Sequence, residues 1–388
     1  MSYKIIIKVL RNFMFYDWLT IYQDHKGDLP MIGDRATITI DTATGIHLGT
    51  SQPIVQHEGS YCTSIQIRIS GNRVTVKGNP SRINRLDNLF GLTSLDECVA
   101  VYNRVLISLG MPPFTKCTRV FHRANEADRV EVTSDGAMIQ ELHITSNRSV
   151  GEGCSDDYIR GLSTLRYRYM EPRLHTNGKT VDWLSVRNHE GRASSLMYPS
   201  VYNKAFEMAL HLLPKISKKY GPASVEADYV CDLIKYCELN GVVRFEQKLK
   251  SKFLARNNFR FYGLFDEAGL KPLHDEFLNI DEKLQVTAMT LESISEHLLR
   301  LGICDSTKAA NSTAMYAMLW MSGQSFDLKK SQVQTHRARL RRIGIDIADK
   351  CNVSRHSPVY VRKAIEVEIK PLDRPYWYRS AVPLRLVA

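Results

Sequence analysis

The stretch that most restricts the fold is "TSIQIRISGNRVTVKG", residues 63–78. Apolar side chains fall at Ile65, Ile67 and Ile69, then at Val74 and Val76, on either side of Gly71-Asn72. A repeat of two is the signature of a strand that buries one face. The Gly-Asn pair marks a two-residue hairpin turn, because glycine takes positive φ without steric cost. The chain must therefore contain antiparallel sheet. "RATITIDT" (35–42) and "AMIQELHITSN" (137–147) carry the same alternation, and Ile5–Val9 reads as one more strand.

Helical signals follow the strands. In "TSLDECVAVYNRVLISLG", Ser94 with Glu97 three residues on makes a capping box and Gly110 a stop, which predicts a helix over 94–109. "SDDYIRGLSTLRYRYM" (155–170) reads as a helix capped by Ser155. Residues 171–190 read as loops or short strands. "SSLMYPSVYNKAFEMALHLL" (194–213) runs from strand into helix, 224–241 is a helix ending at Gly241, and "VVRFEQ" from Val242 is a strand. After Asn279 the patterns are helical. The expectation is an α+β chain: an antiparallel-sheet core over 1–275, an α-helical region over 280–370, and a docked aromatic tail over 371–388.

Charge narrows the partners. Lys and Arg number 52 against 41 Asp and Glu, a net charge of +11, and such a surface favours a polyanion such as DNA, RNA or an acidic membrane face. No apolar run reaches the 18 residues that a membrane span needs. The 8 cysteines form no CxxC pair; scattered thiols suit a reducing compartment and the cytoplasm. The opening residues lack a small-residue cleavage site, and Met14 offers an alternative start.

Four clusters could carry chemistry. Tyr198 and Tyr202 stand four apart, with Lys204 two beyond. Either the tyrosines pack and the lysine faces water, or one phenol attacks a phosphodiester. A phenol has a pKa of about 10, so attack needs a cation or a metal ion beside it. Glu141 and His143 share one face of a strand; together they suit a manganese ion, or magnesium with added water, or else they are a solvated acid and a satisfied histidine. Arg244 and Glu246 alternate with Val243 and Phe245, so they form an exposed ion pair or face inward toward His143. "LKKSQVQTHRARLRRIG" (328–344) is a basic helix preceded by a helix and a glycine turn, a helix-turn-helix pattern. Lys329, Lys330, Arg337, Arg339, Arg341 and Arg342 would meet phosphates, and Gln332, Gln334 or His336 would read bases.

Taken in order, "MFYDWLTIYQD", residues 59–98, "ELHITSN", "VYNKAFEM", "VVRFEQKLKSKFL" and "RPYWY" resemble the replication-initiation proteins of filamentous bacteriophages, the gene II/X family of rolling-circle nicking endonucleases. The resemblance implies a sheet holding a metal and a tyrosine helix. It implies that Tyr202 attacks the plus-strand origin and keeps the 5′-phosphate, with Lys204 as helper. It implies that His143 and Glu246 bind Mg2+ or Mn2+, with Glu141 a further ligand or a bystander. The family more often has Asp at 143 and Arg at 141, so metal preference departs from its pattern. Tyr198 fits initiators that use two tyrosines four apart, although Pro199 opposes one regular helix presenting both. The implied partners are duplex and single-stranded origin DNA, a host helicase and a host polymerase, in the bacterial cytoplasm; an oligomer is compatible with the chain. The alternatives are a non-catalytic DNA-binding regulator and a plasmid or transposon nickase of like chemistry.

Overall fold

A computed structural model describes residues 13–27, 29–33, 35–58, 61, 64–124, 130–185, 196–283, 291–321, 323–348 and 369–379. The expected strand at Ile5–Val9 lies outside them. The strands are β1 (Phe15–Asp24), β2 (Thr37–Ile40), β3 (His47–Ser51), β4 (Val55–Glu58), β5 (Ser64–Ser70), β6 (Arg73–Gly78), β7 (Val120–Ala124), β8 (Val130–Ser134), β9 (Met138–Ser149), β10 (Met170–Leu174), β11 (Thr180–Ser185), β12 (Met197–Asn203), β13 (Val242–Lys250) and β14 (Lys370–Pro371). The helices are α1 (Leu95–Ser108), α2 (Ser155–Leu162), α3 (Lys204–Glu207), α4 (Leu213–Tyr220), α5 (Val225–Leu239), α6 (Ser251–Arg256), α7 (Leu270–Leu278), α8 (Leu291–Arg300), α9 (Thr307–Met321) and α10 (Ser331–Arg342). A π-helical turn, Met208–Leu212, joins α3 to α4.

The fold is α+β. Among the described residues one antiparallel sheet runs β10-β11-β12-β13-β9-β1-β6-β5-β4, and β14 adds to the end of β9. The β5–β6 hairpin forms as its alternation requires: Ile65, Ile67, Val74 and Val76 are fully buried, and Gly71 takes φ +58°. Ser94 caps α1 by accepting from the Asp96 amide, and Gly110 ends the segment at φ +71°. Gly241 turns the chain from α5 into β13 at φ +55°, where a Cβ would sit 1.8 Å from the Gly151 carbonyl oxygen. Only glycine serves there.

Two expectations change. The helix foreseen over 155–170 stops at Leu162, and Ser155 is not its cap: Cys154 holds that position, and Ser155 Oγ accepts instead from Asn203 Nδ2 at 2.9 Å. The tyrosine helix is a strand. Tyr202 is the penultimate residue of β12, and helix begins at Lys204, with Asn203 Oδ1 capping it from the Phe206 amide. The polar stretch 171–190 supplies the β10–β11 hairpin.

Each face of the central sheet has a different covering. Val201, Phe245, Leu142 and Ile144 point to one face, under α2, α6 and α7, in the main core. The alternate residues point to the other, which is closed at the Tyr202 end by the loop 79–92 and by α3–α5. Residues 291–347 build a separate apolar cluster from Ile294, Leu298, Ala314, Trp320, Val333 and Leu340. The connection from α9 to α10 spans 322–330, longer than the short turn of a helix-turn-helix.

Candidate active site

Residues opposite one another in an antiparallel pair share a face. The register sets Tyr202 opposite Arg244, Ser200 opposite Glu246, and Lys248 between Tyr198 and His143. Three strands thereby bring together what the sequence holds far apart. Tyr202 Oη donates to Glu246 Oε2 at 3.1 Å. The other carboxylate oxygen of Glu246 lies 2.9 Å from His143 Nδ1, and His143 Nε2 lies 2.9 Å from Glu141 Oε1. Trp18 of β1 stacks on the imidazole at 5.9 Å.

The protonation pattern follows. Both ring nitrogens of His143 face carboxylates, which only accept, so both must donate and the ring is an imidazolium. Burial pulls its pKa down, but hydrogen bonds to Glu141 and Glu246 outweigh burial and the net displacement is upward. Burial raises Glu246, while the His143 hydrogen bond and charge more than reverse it; Glu246 stays ionised far below the usual carboxylate range. Tyr202 is displaced well upward, first by burial and then by the Glu246 charge. It rests as a phenol whose proton already points at a base.

Behind the phenol sits a buried charged group. Arg244, wholly buried on central strand β13 and no exposed edge pair, donates from Nε to Asn147 Oδ1 at 2.9 Å and from Nη2 to the Asn88 carbonyl at 2.6 Å. Its Nη1 lies 3.6 Å from Asp17 Oδ2 and has no hydrogen-bond partner. Lys204 is also wholly buried. Its ammonium donates to Glu207 Oε2 at 2.5 Å and Asn88 Oδ1 at 2.9 Å, while the phenol of Tyr202 bonds Glu246. Asn88 Nδ2 closes the group on Asp17 at 2.9 Å. Of the two cations, Arg244 is the one directly across the strand pair from Tyr202.

Tyr198 lies on the same strand and face but bonds a different acid. Its hydroxyl donates to Asp182, which also accepts from Arg173 Nη2 at 2.7 Å and lies 2.9 Å from His175 Nε2. Burial and then Asp182 push Tyr198 up to about 12.

Sequence reasoning missed Asp17, Trp18, Asn88 and Glu207. Asp17 left a signal, a lone acid in the apolar run "FYDWLTI". Glu207 left another, three residues after Lys204 on a helix. Asn88 left none, since it lies in an irregular loop.

The basic segment is only partly free. Lys329, Lys330, Arg341 and Arg342 are exposed. Arg337 forks onto Asp346 at 2.6 and 3.0 Å, and Arg339 is half-buried beside Thr313. His336 is buried, 2.9 Å from Thr313 and stacked on Tyr316 at 4.3 Å, so it is a core residue of the helical region rather than a reader of bases.

The antiparallel sheet thus sets a half-buried tyrosine against an ionised acid, with an imidazolium and a second acid beside it. The comparisons give the family. Residues 15–268 match the N-terminal model of a replication-associated protein family, and residues 298–383 match the C-terminal model of the same family. The chain is 52% identical to the replication-associated protein of Escherichia phage If1 over 323 residues, 83% of this chain and 99% of the relative. No solved structure matches. The chain belongs to this family of filamentous-phage replication-associated proteins and serves phage DNA replication as an initiator. Among the described residues no helix is long and apolar enough to cross a membrane.

Proposed function

We propose that the protein starts rolling-circle replication by nicking the plus-strand origin of phage DNA through Tyr202. The observation that carries this reading is the Tyr202–Glu246 hydrogen bond at 3.1 Å. Tyr202 Oη attacks the scissile phosphorus and passes its proton to Glu246 Oε2. A P–Oη bond forms and the P–O3′ bond breaks. The 5′-phosphate stays on Tyr202, and the leaving 3′ oxygen takes a proton from water. Arg244 and Lys204 keep positive charge behind the phenol as it loses its proton. The free 3′-OH then serves a host polymerase, with a host helicase opening the duplex. A second transfer rejoins the displaced strand.

A divalent cation, Mg2+ or Mn2+, fits the donors. Glu141, His143 and Glu246 offer two carboxylates and an imidazole on adjacent strands. They now satisfy one another, and among the described residues no group of three or more His, Cys, Asp or Glu side chains is arranged to hold a metal ion. Binding therefore requires His143 to give up a proton. Once bound, the ion would polarise the scissile phosphate. The exposed cations of 329–342 would hold origin DNA through its phosphates.

The test is incubation with supercoiled phage genome and Mg2+ or Mn2+, followed by gels for nicked circles and for protein-linked DNA. A nicked product with a 5′-linked protein, absent in Tyr202→Phe, supports the reading. Origin binding without any nick would leave a regulator instead.

A further inference from the structure

We propose that the C-terminal tail is part of the tyrosine site, with Tyr378 as a positioning residue that acts through the loop 84–90; this rests on the nicking reading above. The tail returns to the sheet as β14, with Lys370 opposite Ser149 on β9. Leu372 enters the core of α3–α5, and Trp377 packs edge-on to Tyr229 and Tyr236, each at 6.1 Å. These contacts dock the tail. Tyr378 does something else. Its hydroxyl donates to Asp87 Oδ1 at 2.8 Å and accepts from Arg85 Nη2 at 2.7 Å, while its ring meets Phe90 edge-on at 5.0 Å.

The residues so held lead straight to the phenol. Asp87, buried, also accepts from the Leu89 amide at 2.8 Å, which fixes the turn containing Asn88. Asn88 contacts Lys204, Asp17 and, through its carbonyl, Arg244. Leu89 offers its carbonyl to Arg244 at 3.1 Å. Arg244 stands across from Tyr202. Hydrogen bonds link each of these polar groups to the next, and a donor lost from Asp87 leaves a buried carboxylate short of a partner. The loop would then relax, and the side chains that set the phenol would relax with it. One hydroxyl from the last part of the chain thus bears on a nucleophile 176 positions earlier.

The experiment compares Tyr378→Phe with Tyr236→Phe in the full chain. Tyr236 also holds the tail, but its hydroxyl donates to the Asp373 carbonyl at 2.5 Å rather than to Asp87. Three readouts are taken: single-turnover nicking of a single-stranded origin oligonucleotide, affinity for that oligonucleotide, and Tm. Tyr378→Phe should nick about ten-fold or more slowly, with affinity within about two-fold and little change in Tm. Tyr236→Phe should nick like the parent. Asn88→Ala should be slow as well, and adding Tyr378→Phe to it should cost little more, because both act on one loop. The proposal is overturned if Tyr378→Phe nicks like the parent, if Tyr236→Phe is slowed equally, or if the rate falls only in step with Tm. Nicking by Tyr202→Phe would overturn the nicking reading itself, whatever the tail variants do.

Discussion

The two faces of the central sheet each bury a histidine with both ring nitrogens occupied, and the two histidines are opposite in kind. His274, under the apolar face, lies 2.8 Å from Gln247 Oε1 and 3.0 Å from Ser146 Oγ. Burial, with help from nearby Arg148, lowers its pKa to about 3, so it is neutral. His143, on the tyrosine face, meets two carboxylates and is displaced upward despite its burial. Burial is common to both; the charge of the partners decides which becomes a cation. The apolar face stores stability, and the other stores charge beside Tyr202, the nucleophile of the proposed nicking reaction.

Breaking this contrast should have its largest effect on the charged face. Tyr202→Phe removes one oxygen from a half-buried ring, and nicking should fall by at least roughly a thousand-fold, while origin binding measured by gel shift stays near the parent level. Tyr198→Phe, whose partner is Asp182, should retain most nicking. If Tyr198→Phe is the dead variant and Tyr202→Phe the active one, the roles of the two acids are reversed.

Next comes the helical region, where charge is exposed rather than buried. Reversing Lys329, Lys330 and Arg342 leaves the Arg337–Asp346 pair intact. Each phosphate contact contributes about 0.9 to the slope of log affinity against log salt. Three lost contacts should flatten that slope by about 2 to 3 and weaken duplex-origin binding about a hundred-fold at low salt. Cleavage of a short single-stranded oligonucleotide should survive. An unchanged salt slope would make this helix a solvated surface only.

A third effect sharpens the account of His143. A divalent ion bound as proposed would displace its proton, so Mn2+ binding to the DNA-free protein should weaken about ten-fold per pH unit below the His143 pKa. Calorimetry across buffers of different ionisation heat should show proton release on binding. His143→Asn should bind with no such release. A binding constant independent of pH would remove His143 from the ligand set.

Much of the fold is legible where local period and local chemistry agree. The 63–78 hairpin and α1 follow from alternation and a cap, both of which act within a few residues. Ser155 misleads because a serine before an acidic turn looks like a cap, yet its hydroxyl is taken by Asn203 at the end of β12. The run from strand into helix over 194–213 is legible, but its boundary is not: the resemblance implies a tyrosine helix, while β12 continues through Tyr202 to Asn203. The pairing of Glu246 with His143 needs a register, and register is set by the whole sheet. Lys204 draws the helper role by its nearness in sequence, while the cation opposite the phenol, Arg244, lies 42 positions away. Asn88 and the partners of the foreseen tail are invisible for the same reason: the contacts are distant in sequence and the loops carry no period.

The smallest effect belongs to the apolar face and tests the contrast from its other side. The folded pKa of His274, about 3, lies below the unfolded value near 6.5. Below that unfolded value the unfolded chain binds a proton that the folded protein refuses, so stability falls as pH falls. The slope attributable to His274 is roughly 1.4 kcal/mol per pH unit between about pH 6 and pH 4. His274→Gln keeps a polar group between Gln247 and Ser146 but cannot titrate. Its stability by urea unfolding should therefore decline less steeply with acid than the parent's, and the two curves should converge as pH drops. His143 has the opposite sign, since its raised pKa gives stability that is present at low pH and lost as pH rises through it. Parallel parent and His274→Gln curves down to pH 4 would mean that His274 takes up its proton as easily folded as unfolded, and the two faces would no longer differ in the way described.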